Sequence, residues 1–114
     1  MKQKTPLESD ILREVCEYLS DEGYFFWRSN NIPVFGRNNA GKMTFRSLPK
    51  YTPKGLPDLI IVLKGYFIAV EVKRAGAKLR PEQEEFKKTC NANGGIYFVV
   101  HSQEEMETLL LNRI

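Results

Sequence analysis

Apolar residues recur at helical spacing near the start of the chain. Ile11, Leu12, Val15, Cys16 and Leu19 form one stripe, and Asp10, Arg13, Glu14 and Glu17 lie away from it. Thr5 as N-cap, Pro6 in the first helical position and Glu8 closing a capping box predict a helix that runs to about Ser20. At 100° per residue Glu8 projects near the middle of the apolar stripe, which aims a carboxylate at the interior or a cleft. Tyr24 to Arg28, Ile32 to Phe35 and Met43 to Leu48 read as strands, with the polar stretch Gly36 to Lys42 as a loose hairpin loop.

Asp58 to Leu63 is apolar on both faces, as a central strand is, and Tyr66 to Lys73 follows after only Lys64 and Gly65. A basic, glycine-containing loop, Arg74 to Arg80, leads into a helix from about Pro81 to Asn91 that Asn93-Gly94-Gly95 stops. On that helix Gln83 shares a face with Leu79, Phe86 and Cys90. Ile96 to Val100 is a short buried strand. Ser102 with Glu105 then opens a last helix through about Leu111, whose inner face holds Met106, Leu109 and Leu110. The order predicts one mixed α/β (α+β) domain over residues 1–114, a central mixed sheet flanked by helices.

The tight Lys64-Gly65 turn carries the chemistry. It pairs Leu63 with Tyr66 and, continued without a bulge, Asp58 with Glu71 on one face. Like charges so placed repel unless a cation lies between them. Lys73, two residues on, shares that face with Glu71, and also with Phe67 and Ala69, which read as core positions. Oxygen ligands of this kind suit Mg²⁺ or Mn²⁺, and magnesium completes its shell with water and phosphate. The plainer alternatives are a Lys73 ion pair at a sheet edge and Asp58 as a turn residue after Pro57.

Charge adds to this picture. The net charge is only +3, but the eleven basic residues between Arg28 and Arg80 face just two acids, Asp58 and Glu71. A basic centre between acidic helices is the footprint of a surface that meets phosphates. One histidine, His101, leaves little for a histidine zinc site, a Ser-His-Asp triad or metal-independent RNA cleavage, and reads as the end of a strand. Cys16 and Cys90, without CxxC spacing, read as buried free thiols. The apolar runs are too short to span a bilayer and the start has no apolar signal region, so a soluble cytoplasmic protein without a membrane partner is expected.

Gly55-Leu56-Pro57-Asp58, then Glu71-Val72-Lys73, then Gln83 on the next helix resembles the VRR-NUC (virus-type replication-repair nuclease) branch of the PD-(D/E)XK nucleases. The likeness runs from Glu8 to Val100 and suggests a short stand-alone member of the phage kind, acting in the host cytoplasm if phage-encoded. It implies Asp58 and Glu71 as metal ligands, the Val72 carbonyl as a further ligand and Lys73 as the catalytic lysine. Glu8 matches the family's first-helix acid, where a helix cap is the other reading, and Gln83 its helix glutamine, where a core amide is the other. Arg80 stands where many relatives have a small hydroxyl cap.

The expectation is therefore a Mg²⁺- or Mn²⁺-dependent DNA endonuclease without a small-molecule cofactor. The resemblance implies four-way junctions or flaps as substrates. A non-catalytic nucleic-acid-binding or assembly module of the same fold is the alternative that the basic segment alone supports. Arg74, Lys78 and Arg80 follow the catalytic strand and are positioned to grip phosphates, and Lys42, Arg46, Lys50 and Lys54 extend that track. Trp27 and Phe45 are candidates for base stacking but read better as core. Cutting two strands needs two sites, which predicts a homodimer.

Overall fold

The computed structural model describes residues 5–30, 35–37, 40, 43–45 and 50–114. Along the chain lie α1 (Glu8–Asp21), β1 (Phe25–Arg28), β2 (Phe35–Arg37), β3 (Met43–Phe45), β4 (Leu59–Leu63), β5 (Tyr66–Val72), α2 (Pro81–Ala92), β6 (Ile96–Val100) and α3 (Gln103–Arg113). Four strands form a mixed sheet in the order β1-β4-β5-β6, and β2 and β3 form a separate antiparallel pair.

The turn after β4 sets the register of the central strands. Lys64 and Gly65 both have positive φ, 52° and 82°, the backbone of a primed hairpin turn whose twist matches that of its strands. Leu63 then pairs with Tyr66, and the ladder continues without a bulge to Leu59 opposite Val70, as the sequence predicts. β5 pairs in parallel with β6, from Ile68 opposite Ile96 to Val72 opposite Val100. The long crossover that a parallel pair requires is supplied by α2.

Alternation along these strands divides the core in two. Leu59, Ile61, Ile68, Val70, Val72, Phe98 and Val100 pack on one face of the sheet against Ile11, Val15 and Leu19 of α1 and Met106 and Leu110 of α3. Ile60, Ala69 and Tyr97 pack on the other against Leu79, Phe86 and Cys90, on or just before α2. That second cover is partial. Phe67 is 44% exposed and is not the core residue expected, because α2 covers the β5–β6 side of this face and leaves the hairpin end open. Trp27 and Phe25, at the sheet's edge, are also exposed, with their rings 5.7 Å apart. The core reading of Trp27 is thereby corrected; the Phe45 side chain lies outside the described residues, as do 32–34 and 46–48 of the two predicted strands there. Gly36 and Arg37 belong to β2, not to the loop.

Helix starts follow the predicted signals unevenly. α1 begins at Glu8, with extended Leu7 in the capping position and no side-chain cap, so neither Thr5 nor Glu8 acts as predicted. The Glu8 carboxylate instead accepts the Arg74 N–H at 3.4 Å, a tertiary bond that displaces the local one. α2 begins at Pro81 as expected, and α3 is capped by Ser102 Oγ, which accepts the Glu105 N–H at 3.1 Å. The Glu105 carboxylate turns to His101 Nδ1 at 3.2 Å. Both cysteines are free and half-buried.

Gly55 fixes the approach to β4. Its φ is +71°, and a Cβ there would lie 2.2 Å from the Glu82 carbonyl oxygen and 2.9 Å from the Gln83 nitrogen, so only glycine lets this loop lie against the first turn of α2. Gly65→Ala is the natural control, since its φ is +82° but nothing lies within 4 Å of the added carbon. In urea unfolding, Gly65→Ala should cost about 1 kcal/mol and Gly55→Ala clearly more, about 2–4 kcal/mol; equal costs would refute the close-approach argument.

Candidate active site

Asp58 stands just before β4, and its backbone extends the sheet by accepting the Ser29 N–H at 2.9 Å. Its side chain is held at both oxygens. Oδ2 accepts the Val72 N–H at 2.8 Å and Oδ1 accepts from Asn30 Nδ2 at 3.3 Å. These long-range bonds tie β1, β4 and β5 together at one point, which a simple turn aspartate does not do.

Glu71, inside β5, is 4% exposed. Its Oε1 accepts from Gln83 Nε2 at 3.1 Å, while Gln83 Oε1 accepts the Arg80 N–H at 2.8 Å. Gln83 thus does two things at once: from the third position of α2 it reaches back to the N-cap N–H, the reciprocal half of a capping box, and it fixes Glu71 from the start of that helix. At 3% exposure it is a buried amide with both ends used, so its core and site readings coincide. Glu71 Oε2 has no hydrogen-bond partner among the described residues.

Burial governs the charge state. It pushes the Glu71 carboxyl up to about 8, with neighbouring Asp58 adding to the shift, while Lys73 and Arg80 pull against it. Burial likewise raises Asp58, opposed by the Val72 N–H, neighbouring Glu71 and Lys73, and slightly reinforced by Glu8. Near neutral pH the pair therefore retains a proton that two separate carboxyls in water would have lost. Lys73 is 7% exposed and its charge reaches both carboxyls, yet among the described residues it closes no ion pair. β5 is also an inner strand, so a salt bridge at a sheet edge does not describe this lysine.

This donor set fits a hard divalent cation. Two neighbouring carboxyl groups, one with an oxygen that has no hydrogen-bond partner among the described residues, would both gain from a cation between them. Among the described residues no group of three histidine, cysteine or acidic side chains is gathered as a metal cluster. Glu8 therefore stays outside the immediate pair, beside Arg74, with its charge felt at Asp58. The pair alone suits magnesium, which takes few protein ligands.

Of the basic residues, Arg74, Lys78 and Arg80 are exposed on the loop leaving Lys73, and Arg80 pairs with Glu82 at 3.4 Å. Lys50 and Lys54 are exposed before β4, with Lys50 5.1 Å from the Tyr51 ring centre. Lys42 and Arg46 lie outside the described residues. Sequence reasoning passed over Asn30, which carries no motif and reaches Asp58 only through the β1–β4 pairing. The role of Gly55 follows from its close approach to α2, a tertiary contact that its place two residues before Pro57 signals only as a turn.

Comparison with known proteins gives these features a context. A model of the VRR-NUC domain matches residues 40–104, more than half of the chain. One solved structure described as a VRR_NUC domain is 21% identical, with a TM-score of 0.65, covering 94% of this chain and 97% of that chain. Another, a VRR_NUC domain protein, is 16% identical, with a TM-score of 0.68, covering 95% and 88%. At these identities the two structures speak for the fold alone. No curated protein matches the sequence. No helix among the described residues is long and apolar enough to cross a membrane. With Asp58, Glu71, Lys73 and Gln83 joined around one point of a mixed sheet, and the family's model spanning them all, the chain belongs to the VRR-NUC domain family and has its nuclease-type fold.

Proposed function

We propose that the protein is a Mg²⁺- or Mn²⁺-dependent DNA endonuclease that hydrolyses phosphodiester bonds, with structured DNA such as four-way junctions or flaps as its substrate. The observation that carries this reading is the pairing of part-buried Asp58 with buried Glu71, beside a buried Lys73 that forms no ion pair with either among the described residues. Asp58, Glu71 and the Val72 carbonyl would hold the cation, with Glu8 in support from α1. Bound there, it would supply Lewis acidity at the scissile phosphate.

The chain's own groups do the rest. Lys73 donates to the attacking water and stabilises negative charge as it grows on the phosphate oxygens. Gln83 and Asn30 keep the two carboxyls in place. Arg74, Lys78 and Arg80 hold flanking phosphates, with Lys42, Arg46, Lys50 and Lys54 extending the track, which gives affinity and salt dependence without base preference. Exposed Trp27 and Phe25 are suited to stack on unpaired bases. Cutting both arms of a junction calls for two sites, and a homodimer supplies them.

Labelled junction, flap and linear DNA should be cleaved with Mg²⁺ or Mn²⁺ and not in EDTA. Lys73→Ala and Asp58→Asn should each lose roughly a hundredfold or more of the rate, with thermal unfolding showing both variants folded. Binding without cutting under any metal would leave a DNA-binding module instead.

The raised carboxyls give a second prediction whose sign is fixed. The folded protein holds the Glu71 proton up to about pH 8, whereas the unfolded chain releases it near the ordinary 4.5. Between those values the unfolded state binds fewer protons, so stability in EDTA falls as pH rises from about 5 to about 8. The melting midpoint should drop by roughly several degrees across that range, and much less in Glu71→Gln. Mn²⁺ should raise the wild-type midpoint more at about pH 8 than at about pH 6, because it competes with the proton. An equal slope in Glu71→Gln would count against the assignment.

A further inference from the structure

Tyr97 lies in β6 opposite Ala69 of β5, and Glu71 is opposite Val99. Tyr97 and Glu71 are therefore diagonal neighbours on the α2 side of the sheet, roughly 8 Å apart at their Cα atoms from the strand spacing and rise, a gap that a tyrosine and a glutamate side chain together can span. The Tyr97 ring packs on Phe86, with centroids 6.2 Å apart, and on Ile60 and Ala69. The residue is only 8% exposed, and its hydroxyl has no hydrogen-bond partner among the described residues.

A phenylalanine would fill the same apolar space without stranding a hydroxyl, so packing alone does not account for a tyrosine here. The groups whose charge acts on this hydroxyl are Glu71, Asp58, Cys90 and Glu84, and with burial they hold the phenol protonated, as a donor. A carboxylate offers about four acceptor positions. Gln83 uses one on Glu71 Oε1, and Oε2 has no partner among the described residues. The molecule thus has a buried donor and a buried acceptor at diagonal positions of neighbouring strands, with no hydrogen bond between them.

We propose that Tyr97 is a positioning residue for Glu71, its hydroxyl donating through one bridging water to Glu71 Oε2. Such a water needs two polar partners in an otherwise apolar setting, and both are present. Gln83 from α2 and Tyr97 from β6 then hold the carboxylate from two directions, which limits its rotation and presents it to a cation already oriented. The inference rests on the metal-dependent reading above for its consequence, but not for the bridge itself.

The test pairs a high-resolution crystal structure in EDTA with substrate-free Mn²⁺ titrations followed by electron paramagnetic resonance, on wild type, Tyr97→Phe and Glu71→Gln. The expected results are a water within hydrogen-bond reach of both Tyr97 Oη and a Glu71 oxygen, and Mn²⁺ binding about tenfold weaker in Tyr97→Phe. Tyr97→Phe should leave the melting midpoint within a few degrees of wild type, and in the Glu71→Gln background it should change Mn²⁺ binding no further. A merely structural tyrosine would move the midpoint and leave Mn²⁺ affinity alone. Absence of the shared water, or unchanged affinity in Tyr97→Phe, overturns the proposal. Should wild type itself take up no Mn²⁺, the metal reading fails, and the presence or absence of the water decides the role of Tyr97.

Discussion

A part-buried carboxyl at the start of one strand and a buried one in its neighbour repel each other, and the elements around Asp58 and Glu71 contain that cost. The hairpin register brings them to one face, and the Val72 N–H holds one oxygen of Asp58 while Asn30 holds the other. Gln83 reaches Glu71 from the first turn of α2, and Gly55 lets the strand's approach lie against that same turn. The first turn of α2 is therefore coupled to the pair twice, through an amide and through backbone contact. Burial still outweighs these donors, so one carboxyl keeps its proton well above its ordinary range.

Much of this geometry was legible because it is local in sequence. A two-residue turn between unbroken apolar runs leaves one register, and that register alone places Asp58 across from Glu71. Gln83 was legible from its spacing on a helix face. Glu8 was half legible: its direction toward a cleft follows from helical periodicity, but the Arg74 N–H that it binds lies 66 residues away and overrides the predicted capping box. Asn30 was not legible, since nothing in its neighbours signals a partner on β4. Phe67 and Trp27 were misread for another reason. Alternation tells which face a side chain takes, but how much of that face α2 covers is a tertiary matter.

The distribution of charge follows the same division. The acidic residues of α1 bind its own Arg13, with Asp10 and Glu17 each 3.8 Å away and well exposed, contacts that contribute little to stability. Of the basic residues around Asp58 and Glu71, Lys50, Lys54, Arg74, Lys78 and Arg80 are exposed on the segments before β4 and after β5. Lysine and arginine there shape the field over the site without entering it.

Lys73 is the exception, and its placement separates a site from a structural ion pair. A buried salt bridge is stable when the opposite charges meet and satisfy each other's hydrogen bonds. Here Lys73 lowers both carboxyls from a distance and closes no contact with either, while one Glu71 oxygen has no partner among the described residues. A permanent cation would need to reach that oxygen to settle the pair, and Lys73, one alternation beyond Glu71, forms no ion pair with it among the described residues. The pair is thus stabilised by a proton that can leave, which is the condition under which an exchangeable divalent ion competes on favourable terms.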